Sequence, residues 1–339
     1  MPFGAEPKRC VKRSASDRVQ PLLPRTSTSG GAATRTGVKR TRLADKLQRD
    51  PYFGYALIFP LLAWAVLTLA YPLVDSIRLS LLNVGYVGTA GEFVWLENFR
   101  RVLSSSEFWG SLRVSVVWTA LNVVLQLTLA LVAALVLNQE FRGREIVRNW
   151  IILPWLFPSI VLATLGKWVL DPTLGVVNWL LLRSGVIDAP ISFLGSVTTA
   201  LYAVTAVNTW RWFPFFAVII LAALQTIPKE LGESADLDGA GYFARLWYIE
   251  LPSIGAVLKV TILIASLWAI NIFDAIWLLT RGGPRYATTT FSILIYYKGF
   301  VEHRISQAAT ISLLMFLLLL AFGLLYFRSV ARPDTEVTA

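Results

Sequence analysis

The chain has 339 residues, 55% of them hydrophobic and 15% charged, with a net charge of +10 and a mean hydropathy of +0.59. Soluble domains carry about a quarter charged residues, so an ordinary water-soluble protein is excluded. A single Cys (Cys10) and a single His (His303) exclude an intrachain disulfide, a Cys cluster, a multi-His metal site and Ser-His-Asp chemistry.

Residues 1–50 hold twelve of the 31 basic side chains, in a setting rich in Ser, Thr, Gly and Pro. Such a stretch has too little apolar surface to fold and reads as a disordered basic tail. No apolar run follows its first basic residues, so it is not a secretory signal. A charge of +10 invites a nucleic-acid partner, but the excess sits in this tail, next to an apolar run. It reads as a topology marker, and no nucleic-acid partner is expected.

After Asp50 the texture changes. Residues 51–74, 114–139, 149–166 and 305–327 contain no charge. Residues 197–224 contain one, Arg211, and residues 260–280 contain one, Asp274. A helix rises about 1.5 Å per residue, so roughly 20 residues cross a hydrocarbon core of about 30 Å. The pattern predicts an all-α integral membrane protein with six spans, at about 52–77, 110–138, 149–170, 197–224, 256–280 and 305–327. The runs are continuous rather than alternating over about ten residues, which excludes a β-barrel. Pro60 and Pro72, Pro154 and Pro158, and Pro214 are expected to kink the first, third and fourth spans.

Six spans place both termini on one side. That side collects twenty basic residues and the other ten, with Arg211 between them. The margin comes from the tail, and its charges nearest the first span weigh most, so both termini, including residues 331–339, are expected to be cytoplasmic.

The most informative cytoplasmic loop is 225–252. Pro228 suits a first helical turn, Glu230 and Glu233 its positive end, and Gly239 a left-handed stop. A second short helix over about 242–248 gathers Tyr242, Phe243, Leu246 and Trp247, and Leu251-Pro252 is expected to end it. The product is a helix–turn–helix elbow. One reading is an amphipathic helix resting on the lipid bilayer. The other is a docking knob for a second protein, favoured because Glu230, Glu233, Asp236 and Asp238 sit poorly against anionic headgroups.

At this loop the sequence resembles the permease subunits of ATP-binding cassette importers. Their signature is Glu-Ala-Ala, three residues, Gly, nine residues, Ile, one residue, Leu-Pro. Here it reads Glu233-Ser234-Ala235, Gly239, Ile249, Leu251-Pro252, with every spacing kept and Ser234 the one small-for-small departure. The stretch Phe273 to Pro284 with Thr288–Thr290, and Trp210-Arg211-Trp212-Phe213-Pro214-Phe215, are similar to the carbohydrate-uptake branch, the maltose and glycerol-phosphate permeases. The likeness covers about residues 53–330. It implies the type I importer permease fold with a cytoplasmic coupling helix, in a bacterial or archaeal plasma membrane. It implies three partners: a second permease subunit, an ATPase dimer and an extracytoplasmic solute-binding protein. It makes Glu233, Ser234, Ala235, Gly239, Tyr242, Phe243, Ile249, Leu251 and Pro252 the coupling residues. The sequence has no Gly-x-x-x-x-Gly-Lys-Ser/Thr loop, so no cofactor is expected on this chain, and ATP and Mg belong to the ATPase.

Arg211 and Asp274 are the charges deepest in apolar segments. Each would cost about 2.5–3.5 kcal/mol at the centre of a lipid-facing helix, so they should face a cavity, pair, or sit near an end. With Asn208, Trp210, Trp268 and Asn271 they are the candidates for the substrate path. An ion-coupled transporter without an ATPase is the alternative; it would normally place several ionisable groups within its spans. A membrane enzyme would need clusters of His, Cys or carboxylates at membrane depth, which the spans do not offer.

Overall fold

The computed structural model describes residues 51–85 and 91–330; the basic tail and residues 331–339 lie outside the described residues. The chain divides into two compact units, 1–64 and 65–339. In the first, helix α1 (Pro51–Ala65) carries Pro60 inside it.

The second unit holds the remaining elements. A π-helical turn (Val66–Ala70) leads into α2 (Tyr71–Ser80). A two-stranded antiparallel ladder follows, β1 (Leu82–Asn83) with β2 (Glu92–Phe93), pairing Leu82 with Phe93 and Asn83 with Glu92. Buried Asn98, in α3 (Glu97–Leu103), fastens this ladder to α2 by donating to the carbonyls of Ser80 and Leu82 at 2.9 and 2.8 Å.

Helix α4 (Ser106–Asn138) has 33 residues and is about 50 Å long, more than a bilayer core requires. The Ser105 hydroxyl caps it, accepting from the Phe108 N–H at 3.3 Å. Helix α8 (Ala200–Leu224) packs along it. Ala130, Ala134 and Ala217 are fully buried there, and such small side chains let two membrane helices approach closely where no hydrophobic drive distinguishes helix from lipid. The remaining helices are α5 (Arg144–Leu156), α6 (Ser159–Val169), α7 (Val176–Arg183), α9 (Lys229–Leu237), α10 (Tyr242–Arg245), α11 (Leu251–Ser253), α12 (Gly255–Asn271), α13 (Asp274–Thr280), α14 (Phe291–Tyr296) and α15 (Ile305–Val330).

Four helices are long and apolar enough to cross a bilayer: Leu57–Ser80, α4, α8 and α15. Two bent pairs pass the same test together, α5 with α6 at 98° and Tyr242–Ser253 with α12 at 71°, which brings the total to six. The six-helix membrane fold is therefore present with each bent pair counted as one span; the second pair bends at Ile254, where the elbow passes into α12.

The third span, expected as one helix over 149–170, breaks at Phe157-Pro158. Pro158 lacks an N–H, and the residue before a proline is pushed out of the helical region; Phe157 duly sits at φ −72°, ψ 139°. The fifth, expected over 256–280, breaks at Ile272-Phe273 with no proline. Its second part, α13, begins on Asp274, whose charge suits a helix start.

The other prolines expected to kink spans lie inside helices that run on past them. Pro214 leaves α8 continuous. Pro72 and Pro252 each lie at the second residue after a π-helical turn, Val66–Ala70 and Leu246–Glu250. A widened turn displaces the carbonyl that a proline ring would strike, so the helix passes through. The elbow's second helix runs through Leu251-Pro252 to Ser253 and turns by 71° into α12 at Ile254, beside the expected end.

Candidate functional site

The elbow is built as two helices around a closed turn. Helix α9 starts after Pro228 and ends at Leu237. Asp238 caps it, Gly239 takes φ +75°, and the N–H groups of Gly239 and Ala240 donate to the carbonyls of Asp236 and Ala235 at 3.2 and 2.9 Å. This paired closure is the Schellman motif, and its left-handed residue is why a glycine stands at 239.

Beyond the turn, Arg245 folds back. Its Nη1 lies 3.5 Å from Asp236 Oδ1 and its Nε 3.3 Å from Glu250 Oε1, so one guanidinium ties α9 to the π-helical turn of the second helix. Spacing gave no sign of this clasp, because the reversal at Gly239 is what brings Asp236 and Arg245 together.

The coupling residues separate into an exposed set and a supporting set. Glu233 and Ser234 are exposed on α9, with the Ser234 hydroxyl donating to the Glu230 carbonyl at 2.8 Å. Ala235 is buried beneath them, and Ile249 and Leu251 are half-buried. Pro252 is exposed. Tyr242 meets Phe243 edge-to-face at 5.6 Å. Phe243 is 80% exposed, Trp247 68% and Leu237 90%. Large apolar side chains thus stand uncovered on both helices of the elbow. Leu237 and Tyr248 are among them and carry no signal in the spacing.

Within the spans, Arg211 and Asp274 meet. Arg211 Nη1 lies 2.9 Å from Asp274 Oδ2, and the Arg211 guanidinium also stacks on Trp212, 5.2 Å from its ring centre. Asp274 heads α13, which packs against α6, the helix that begins at Ser159. The ion pair therefore pins α8 to the break in the fifth span, beside the break in the third.

Trp268 joins Trp212 and Phe215, each 5.2 Å away between ring centres. Asn271 lies elsewhere, lining a groove of about 490 Å³ with Phe273, Ser292 and Tyr296, so it does not share the Trp268 cluster. Trp210 is half-exposed. Asn208, expected to line a cavity, is instead only 1% exposed. Its Nδ2 donates to Asn122 Oδ1 at 2.6 Å, and Gln126 Nε2 donates to the same oxygen at 3.0 Å. Asn122 Oδ1 thus accepts from two amides, and Asn122 Nδ2 donates to the Trp118 carbonyl at 2.9 Å, which is why Asn208 turns towards α4; Asn208 Oδ1 has no hydrogen-bond partner among the described residues. Among the described residues, no group of three or more His, Cys, Asp or Glu is placed to hold a metal.

Comparison with known proteins places this architecture. Residues 126–334 match the family model described as the inner membrane component of binding-protein-dependent transport systems. The chain is 35% identical over 288 residues to the trehalose/maltose transport system permease protein MalF of Thermococcus litoralis, covering 84% of this chain and 96% of that protein. It is 30% identical over 306 residues to the diacetylchitobiose uptake system permease protein DasB of Streptomyces coelicolor, covering 89% and 93%. Its fold matches a chain in the crystal structure of a bacterial alginate ABC transporter in complex with an alginate pentasaccharide-bound periplasmic protein. That match has a TM-score of 0.74 at 24% identity, over 86% of this chain and 98% of that one. The six-helix fold and the signature at the elbow meet in one conclusion: this chain belongs to the family of inner-membrane permease components of binding-protein-dependent transport systems.

Proposed function

We propose that the chain is one of two permease subunits of an ATP-driven importer and carries a saccharide or related solute across the plasma membrane. It works with an extracytoplasmic solute-binding protein and with a separate ATPase dimer, which binds ATP and Mg and performs the hydrolysis. The elbow inserts into the ATPase, with Phe243, Trp247 and Leu237 as apolar anchors and Glu233 at the rim. Closure of the ATPase pair then moves the elbow as one body, because Arg245 ties its two helices. Both termini and the elbow face the cytoplasm.

The observation that carries this reading is the elbow itself: a Schellman-closed turn holding large apolar side chains in the open, at the spacing of the family signature. The sugar class draws support from the names of the similar permeases. Trp268, Trp210, Arg211, Asp274 and Asn271 are proposed to border the solute path; Asn208 serves as an interhelical clasp.

The test is reconstitution. The tagged chain is expected to copurify with an ATPase and a second permease, and to support uptake in liposomes only with ATP and the binding protein. Transport by the isolated chain under an ion gradient, without ATP, would overturn the reading. The pairing of Arg211 with Asp274 weighs against such ion coupling, since it engages the two charges deepest in the apolar segments with each other.

A further inference from the structure

At the end of the fifth span opposite the elbow, residues 281–290 form a loop fixed from several sides. The Thr289 hydroxyl donates to the Gly282 carbonyl and the Thr288 hydroxyl to the Gly283 carbonyl, both at 2.8 Å. The Tyr297 hydroxyl donates to the Arg281 carbonyl at 2.9 Å, and the Phe291 N–H donates to the Ser115 hydroxyl of α4 at 2.9 Å. Thr288, Thr289 and Thr290 are buried. Gly282 has φ +83°, and a Cβ there would meet Ile293 and Thr289 at 2.8 Å.

Within this frame Arg281, Arg285 and Tyr286 adopt left-handed backbone, with φ of 52°, 47° and 65°. Such conformations are uncommon for these residue types and persist only where the surroundings enforce them. The result is that Arg285 and Tyr286 are held outwards, both exposed.

The charge around them is one-sided. Arg285 and Tyr286 stand between two cavities. The larger, about 960 Å³, is bordered also by Glu107, Arg113, Thr198 and Tyr202. The smaller, about 330 Å³, is bordered also by Arg281, Glu107 and Glu302. Both of these carboxylates are already engaged. Lys298 Nζ lies 2.6 Å from Glu107 and 3.0 Å from Glu302. Arg113 and Arg285 are exposed and enter no ion pair among the described residues.

We propose that this rim receives carboxylate side chains of the solute-binding protein, with Arg113 and Arg285 as the two donors. The inference rests on the reading that the chain works with such a protein. A guanidinium fork matches a carboxylate with two parallel hydrogen bonds, and a rigid frame spares the entropy of ordering it on docking. Fixed charges without counter-ions also steer an oppositely charged partner into register. A lipid headgroup needs no such frame. A small solute would be better served by enclosed donors than by two exposed ones.

The experiment uses the complete transporter in lipid nanodiscs and its purified, solute-loaded binding protein. Variants are Arg113→Gln with Arg285→Asn, since Asn tolerates left-handed backbone, and Arg113→Glu with Arg285→Glu. The Kd for the binding protein is expected to rise about tenfold for the neutral pair and further for the reversed pair. The wild-type Kd should weaken with salt, and ATP hydrolysis at saturating binding protein should stay unchanged. An unchanged Kd in both pairs overturns the proposal while leaving the function above intact. An unchanged Kd with a raised KM for solute overturns it in favour of a solute site. A wild-type complex that does not bind the protein at all overturns both readings. A reversed pair rescued by Lys substituted for surface Asp or Glu of the binding protein supports it directly.

Discussion

Arg211 on α8 and Asp274 at the head of α13 meet at 2.9 Å although 63 residues separate them. Each charge alone is costly at membrane depth, and the pair resolves both costs at the point where the fifth span breaks. The Arg211 side chain is 17% exposed and that of Asp274 44%. Removing a partner harms most when it orphans the more buried charge. Asp274→Leu is therefore expected to destabilise the complex by about 2–3 kcal/mol and Arg211→Leu by about 1 kcal/mol. Thermal unfolding in detergent checks this, and equal effects would contradict the asymmetry. The double variant should be milder than Asp274→Leu alone.

Gly239 has open space around it, with nothing within 4 Å of an added Cβ, but its φ is +75°. Gly239→Val should cost roughly 1–2 kcal/mol of left-handed strain without blocking membrane insertion. It should abolish solute-stimulated ATP hydrolysis, while Gly239→Asn retains a good part of it. Normal stimulated hydrolysis by the Val variant would remove Gly239 from the coupling role.

Phe243 and Trp247 are exposed at 80% and 68%, so little of the chain's own stability depends on them. Phe243→Ala and Trp247→Ala should shift unfolding by no more than about 0.5 kcal/mol. Each should weaken association with the ATPase about tenfold or more, as loss of an interface anchor does. Quantified copurification of the subunits distinguishes this from an elbow that rests on lipid, for which recovery of the ATPase would not change.

Asn122 accepts from both Asn208 and Gln126, so Asn122→Leu leaves two donors without that acceptor and Asn208→Leu leaves none. Interhelical hydrogen bonds in membranes are worth about 0.6 kcal/mol on average and up to about 1.7. The Asn122 variant is expected at or above the upper figure and the Asn208 variant near the mean, read as unfolding midpoints. A larger loss for Asn208→Leu would sink the clasp as described.

Lys298 lies in the loop region between the fifth and sixth spans. Burial by itself lowers its pKa, but the hydrogen bonds and charges of Glu107 and Glu302 prevail and hold it above the ordinary 10.5. A folded-state pKa raised above the unfolded value adds stability that is fully present below the unfolded value and is lost as pH rises through the folded one. The Lys298 contribution should thus be constant from pH 6 to about 10 and fade only above about 10.5. The difference in unfolding midpoint between wild type and Lys298→Met, followed across pH, measures it; a difference that vanishes near pH 8 would contradict it.

Hydropathy and charge placement alone determined the six-helix membrane fold, because a bilayer demands long uncharged helical runs and little else satisfies them. The elbow was also legible: its Gly, Pro and acidic residues act through local backbone geometry, which spacing encodes. Tertiary structure decided what depends on two segments meeting. It joined Arg211 to Asp274 and Arg245 to Asp236, and it turned Asn208 from a cavity towards Asn122. It broke the fifth span without a proline and let Pro72 and Pro252 pass through widened turns. None of these is carried by a local period. A side chain's partner lies where the helices pack, and one sequence position does not record which face its neighbour will cover.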